Sequence, residues 1–134
     1  MKRRVVQRVL VAIDIAVASD ATLEHAADLA LAHGAELQVL YVKPSLDPRE
    51  VYAPDKVPAL DGQLDRMQSR FPDLKVDARH EMGDLAATIR EVVEQWSSDV
   101  VVIGYSGRKE KKRLHRVMRH VPGSVYLVDI GRTK

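Results

Sequence analysis

Two short runs of apolar, largely β-branched residues do most to limit the folds open to this chain. Val9–Ile13 lies near its start and Val100–Ile103 lies towards its end. A run of four to eight consecutive apolar residues between polar neighbours predicts a strand that is buried on both faces. Such strands occur in parallel sheets that are covered by helices on both sides. The two runs therefore indicate an α/β protein.

Amphipathic helices alternate with the predicted strands. The first helix has its cap at Ser19 or Asp20, and Gly34 ends it. The later elements are a strand at Leu37–Val42, a loop containing Pro44, Pro48, Pro54 and Pro58, a helix with apolar positions between Val57 and Phe71, a weak edge strand at Lys75–His80, a helix capped by Asp84, a short basic helix, and a strand at Val125–Ile130. This order predicts a doubly wound parallel sheet with helices on both faces and a ligand crevice at the carboxyl ends of the strands.

Length and composition narrow the classes of protein further. With 134 residues, of which 46% are hydrophobic, the chain is expected to form one domain over residues 1–134. Cysteine is absent, so disulfides and thiolate chemistry are excluded. No apolar run approaches the roughly 18–20 residues of a membrane span. We therefore expect a cytoplasmic protein without a membrane partner.

The charged residues are unevenly distributed although they nearly balance. Lys and Arg number 21 against 19 Asp and Glu, but within residues 108–119 the only acid is Glu110. A solvated helix face is the usual meaning of such a run. Alternatively, its cations bind phosphate directly, or the segment contacts an acidic partner or nucleic acid. The segment contains no aromatic residue for base stacking, so we do not expect nucleic acid to be the partner.

Several segments, taken in order, resemble the universal stress protein family over nearly the whole chain. They are Val9–Asp14 with Ser19, Ala30–Val42, Gly83-Asp84, Asp99–Arg108, and Val117–Pro122 with the closing strand. The resemblance implies a five-stranded parallel sheet in the order 3-2-1-4-5. It also implies a homodimer that pairs through the last strand. Some members of the family bind ATP and others do not.

The resemblance also implies where a nucleotide would bind. In members that bind ATP, the residue matching Asp14 lies by the ribose and the metal, and the main chain at Val42 meets the adenine. Gly104 and Gly107 match the first half of the phosphate pattern, and Arg108 follows them. A loop carboxylate, a strand end and a glycine turn are the purely structural alternatives for these positions.

Two departures from the family pattern weaken the expected nucleotide site. Nine residues separate Gly107 from the place where Gly-Ser or Gly-Thr completes the phosphate loop in ATP binders, and this chain has Val117 and Met118 there. The Gly-Ser that usually follows the residue matching Asp14 is replaced by Ile15-Ala16. We therefore expect a non-catalytic stress-response regulator with no cofactor and no tight ATP binding. The alternatives are a sensor that binds ATP with Mg at the remaining glycines and nearby cations, and a slow nucleotide hydrolase.

Overall fold

The structure is a computed structural model that describes residues 5–14, 20–43, 56–105 and 111–130. Within these ranges, the side chains of residues 14, 56–61 and 111–113 are not described. The elements are β1 (Arg8–Asp14), α1 (Asp20–His33), β2 (Glu36–Lys43), α2 (Lys56–Arg70), β3 (Val76–Met82), α3 (Leu85–Trp96), β4 (Val100–Tyr105), α4 (Lys111–His120) and β5 (Ser124–Asp129). Strands and helices alternate as the sequence predicts.

The five strands form one parallel sheet in the order β3-β2-β1-β4-β5. This confirms the predicted α/β fold and its strand order. The first strand, β1, lies at the centre, with Asp14 level with Val42 of β2 and Ala12 level with Ile103 of β4. Because the sheet is parallel, the carboxyl ends of all five strands meet at one edge of the sheet.

Alternate residues of β1 divide the core into two layers. Val9, Val11 and Ile13 pack in the layer that includes α1 and α2. Leu10 and Ala12 pack in the layer that includes α3 and α4. All five side chains are buried. Burial on both faces explains why the run is continuously apolar rather than alternating.

Small residues bring α1 close to the sheet. Ala26, Ala27 and Ala30 are fully buried on its inner face. The helix ends as predicted, at Gly34, which has a φ of 63°. A left-handed residue of this kind satisfies the last carbonyl groups of a helix, and glycine adopts it without strain.

Three local expectations need correction. Pro58 lies in the first turn of α2 rather than in the preceding loop, a position where a missing N–H leaves no helix hydrogen bond unmade. Gly104 lies inside β4, not in the turn after it, and its φ is not positive. Met118, expected on the apolar stripe of α4, is 49% exposed, and Leu114, Val117 and Val121 form that stripe alone.

Candidate functional site

The sheet brings three of the five predicted site residues to the same edge. Asp14 ends β1 and pairs with Val42 of the neighbouring strand. On the other side of β1, Gly104 follows Ile103, which is level with Ala12. Gly107 and Arg108 lie outside the described residues, as does the side chain of Asp14. The described part of the predicted site is therefore backbone from three adjacent strands, together with the buried Val42 side chain.

Gly104 is held by close packing against α1. A Cβ atom at this position would lie 2.2 Å from Oγ1 of Thr22 and 3.3 Å from its Cβ and Cγ2. The side chain of Thr22 is itself buried. A contact of 2.2 Å is far inside van der Waals distance, so a larger residue requires α1 or the threonine to move. Gly104 thus has a structural reason to be glycine that involves no phosphate.

The first turn of α3 contributes an ion pair beside the carboxyl edge. Asp84 is the N-cap of α3, and its Oδ2 accepts a hydrogen bond of 3.0 Å from the backbone N–H of Ala87. Its Oδ1 lies 3.1 Å from Nη1 of Arg116 on α4. One carboxylate therefore caps α3 and links it to the basic helix. The sequence predicts the cap but does not reveal its partner.

A shallow groove of about 220 Å³ separates α3 from α4. Its charged lining residues are Asp84, Arg90, Glu91, Glu94 and Arg116, with His120 beside them. Arg90 is paired with Glu94 at 3.2 Å. Both signs of charge line this groove, so it offers no strong preference for a cation or an anion.

The position that completes the family phosphate pattern lies within α4. Val117 is the seventh residue of this ten-residue helix and is only 1% exposed. Its carbonyl accepts a hydrogen bond of 2.9 Å from the N–H of Val121. A residue in the interior of a helix has its own N–H engaged within the helix. The amides at 117 and 118 are therefore used by the helix itself.

Two contacts at this edge were not predicted from the sequence. The approach of Thr22 to Gly104 depends on how closely α1 packs against the sheet. The alanines on the inner face of α1 were the only sign of this close packing in the sequence. The pairing of Asp84 with Arg116 joins residues far apart in sequence, and a basic run does not reveal which of its members meets an acid. Within residues 5–14, 20–43, 56–105 and 111–130, no three His, Asp or Glu side chains are grouped to hold a metal ion.

Comparison with known proteins gives one consistent result. The sequence model of the universal stress protein family matches residues 6–129. A search of curated proteins finds no match. No helix in the described ranges is long and apolar enough to cross a membrane.

Solved structures of the same family share the fold. A universal stress protein crystallised in complex with cAMP superposes with a TM-score of 0.73 at 20% identity, covering 94% of this chain and 98% of that one. A member from Burkholderia pseudomallei gives 0.68 at 21% identity over 95% and 98% of the two chains. The Archaeoglobus fulgidus protein in complex with dAMP gives 0.68 at 15% identity over 94% and 100%.

Proposed function

This chain belongs to the universal stress protein family, and we propose that it is a non-catalytic regulatory member that acts as a homodimer and does not bind ATP tightly. The burial of Val117 in α4 carries the proposal. A phosphate loop needs free backbone amides at the start of a helix. At positions 117 and 118 this chain instead has helix interior, so the second half of the loop has no counterpart there.

The remaining half of the phosphate pattern does not argue against this. Gly104 is explained by its contact with Thr22. Gly107 alone is a weak indicator, because glycine is common in any turn between a strand and a helix. The absence of the Gly-Ser or Gly-Thr half of the pattern therefore weighs more than the presence of Gly104 and Gly107.

A nucleotide-binding sensor is the second candidate. Two relatives have solved structures in complex with cAMP and with dAMP. The pairing of Asp14 with Val42 puts the positions implied for ribose and adenine side by side at the carboxyl edge, where doubly wound sheets bind their ligands. In this case Arg108 and its basic neighbours would replace the missing amides on the phosphates.

Nucleotide binding separates the two candidates directly. The purified protein is denatured, released small molecules are identified by mass spectrometry, and Mg-ATP, cAMP and AMP are titrated calorimetrically. We expect no released nucleotide and no saturable heat at millimolar ligand. Saturable binding that Gly107→Val abolishes, and that Gly62→Val on α2 leaves intact, would overturn the proposal in favour of the sensor.

The homodimer is supported by a contrast between the two edge strands. In seven residues, β3 carries Asp77, Arg79, His80 and Glu81, whereas the only charge of β5 is Asp129 at its end. Charged residues protect a sheet edge from pairing with another chain. Tyr126 and Leu127 of β5 are 43% and 41% exposed. A strand edge whose single charge lies at its end, and which has exposed apolar side chains, is suited to pairing with a second copy.

Placing a charge on each edge in turn tests the dimer. Leu127→Lys puts a cation on the β5 edge, and we expect sedimentation equilibrium to show a monomer. The matched control is Met82→Lys on β3, whose methionine is 65% exposed, and it should leave the dimer unchanged. A wild-type monomer, or a dimer that only the Met82 substitution dissociates, would contradict pairing through β5.

A further inference from the structure

The edge strand β3 ends in two exposed side chains that neither the core nor the proposed function uses. His80 and Met82 are both exposed, Met82 to 65%. Successive side chains of a strand alternate between the two faces of the sheet, so residues two apart share a face. An imidazole and a thioether therefore lie next to each other on one face, at the carboxyl end of β3, and both are open to solvent.

Tyr41 holds the ring of His80 in one orientation. The two residues are level in the pairing of β2 with β3, and their rings stack with centroids 5.0 Å apart and planes 26° apart. Tyr41 is buried, so it forms a rigid base for the exposed ring. Within the described part of the chain, no hydrogen bond or ion pair engages His80. Its imidazole is therefore oriented, while its nitrogen atoms are available to a ligand.

The surrounding side chains favour a soft, monovalent cation. None of the other side chains that β2 and β3 place on this face is a carboxylate, and Glu81 lies on the opposite face, where it pairs with Arg79 at 2.7 Å. Ca²⁺ and Mg²⁺ need several oxygen ligands. Imidazole nitrogen and thioether sulfur instead suit Cu(I). Lys43 is level with Met82, and its positive charge disfavours a divalent ion more than a monovalent one.

The spacing allows both side chains to reach one ion. Residues two apart on a strand are about 6.6 Å apart along it. The side chain of methionine is unbranched and has three rotatable bonds, so the sulfur of Met82 can approach the ring while the ring stays stacked on Tyr41. We propose that His80 and Met82 together bind one Cu(I) ion. The site lies on the edge of the sheet opposite β5, so pairing through β5 leaves it accessible.

The test measures Cu(I) affinity without oxygen, by competition with a colorimetric Cu(I) chelator. The wild type should bind one Cu(I) per chain with an affinity that both single variants lower. Met82→Leu keeps an apolar side chain and removes the sulfur. His80→Phe keeps a ring that can stack on Tyr41 and removes the nitrogen atoms. Each should lower the affinity about tenfold or more, because even the loss of a contact that supports a ligand typically costs that much.

Two matched controls and a second measurement make the result specific. Met118→Leu removes another exposed methionine, and His25→Phe removes another exposed histidine whose ring lies near a tyrosine, Tyr126. Both controls should bind Cu(I) like the wild type. In NMR spectra recorded with Ag(I), a soft ion that is not oxidised in air, the methyl signal of Met82 and the ring signals of His80 should shift together.

The contrary outcomes are equally distinct. Wild-type affinity no higher than that of His80→Phe/Met82→Leu would overturn the site. A loss on His80→Phe without a loss on Met82→Leu would overturn the shared ligation, and an equal loss in the controls would show unspecific binding. Zn²⁺ bound as tightly as Cu(I) would overturn the assignment to a soft ion. None of these results bears on ATP binding or on the dimer, which are measured separately.

Discussion

The two faces of the sheet are built by different means. On the α1 face, alanines and the contact of Thr22 with Gly104 bring helix and strand close together. On the opposite face, α4 packs through one stripe of three buried residues, the last of which follows the helix, and the other described side chains of α4 are exposed. The first arrangement tolerates little change because the buried side chain of Thr22 leaves no space for a Cβ at position 104. The second leaves α4 more open to sequence change, and α4 contains one of the two places where this chain departs from the nucleotide-binding pattern that the resemblance implies.

The largest effect should come from restoring the family residue at position 117. Val117→Gly removes a buried side chain and places glycine inside a helix. We expect a loss of about 3 kcal/mol in the free energy of unfolding, from the lost burial, the cavity and the helix propensity of glycine. Urea denaturation followed by circular dichroism measures it. A loss below about 1 kcal/mol would show that α4 contributes little to the second core layer.

A double variant that includes this substitution tests the functional side of the comparison. Val117→Gly/Met118→Ser introduces the Gly-Ser of the family motif, but the backbone N–H groups at positions 117 and 118 stay bonded within the helix. We expect no gain in Mg-ATP affinity by calorimetry, because positions 117 and 118 remain within α4. A gain in affinity would mean that α4 unwinds readily at these positions. The side chains of Val117 and Met118, rather than the helical backbone, would then be what prevents ATP binding.

The next effect in size concerns the other face. Gly104→Ala introduces a Cβ that overlaps Oγ1 of Thr22, and we expect a loss of about 1–3 kcal/mol in unfolding free energy. Adding Thr22→Ala removes the overlapping oxygen. The double variant should therefore lose less unfolding free energy than the two single variants lose in sum. Gly62→Ala is the control, since its Cβ would meet only the flexible end of Arg66 in a helix. Additive losses would refute the contact.

Much of the fold was predictable because it follows from the spacing of apolar residues and from the residues that begin or end helices. The buried runs Val9–Ile13 and Val100–Ile103 place two strands, and Gly34 and Asp84 mark where helices end and begin. Boundaries were less certain where two local rules compete. Pro58 is a loop residue by composition, yet it is also acceptable in the first turn of a helix, and the structure takes the second option.

The site was less predictable because its determinants are tertiary. From the sequence, Gly104 was explained by the geometry of a turn. Its neighbour in space, Thr22, lies more than eighty residues away in the sequence and is close only because α1 packs tightly against the sheet. Met118 matches the apolar period of α4, but among the described side chains of residues 114–121 only Leu114, Val117 and Val121 are buried. The resemblance to a family supplied the positions of the site, and the packing explains two of the positions in that pattern, namely Gly104 beside Thr22 and Val117 within α4.

A smaller effect is expected where α3 and α4 meet. Asp84→Ala removes both the cap of α3 and the partner of Arg116, and we expect a loss of about 1 kcal/mol in unfolding free energy, mainly from the cap. Asp84→Asn keeps a capping oxygen and loses only the charge, so its cost should stay below about 0.5 kcal/mol. If the two variants lose equally, then the ion pair rather than the cap secures α3 to α4.

The smallest effect tests whether charge contributes to the closely packed face. Arg66 and Arg70 of α2 pair with Asp20 and Glu24 of α1, but both arginines are exposed to solvent. Surface pairs of this kind contribute about 0–1 kcal/mol and are weakened further by salt. Arg66→Ala/Arg70→Ala should therefore lower the unfolding free energy by less than about 1 kcal/mol in low salt and by less still in high salt. A loss above about 2 kcal/mol that vanishes with salt would mean that charge, not apolar contact, holds α2 to α1. Both faces would then depend on ion pairs between their helices. Only the close packing of α1 against the sheet would distinguish one face from the other.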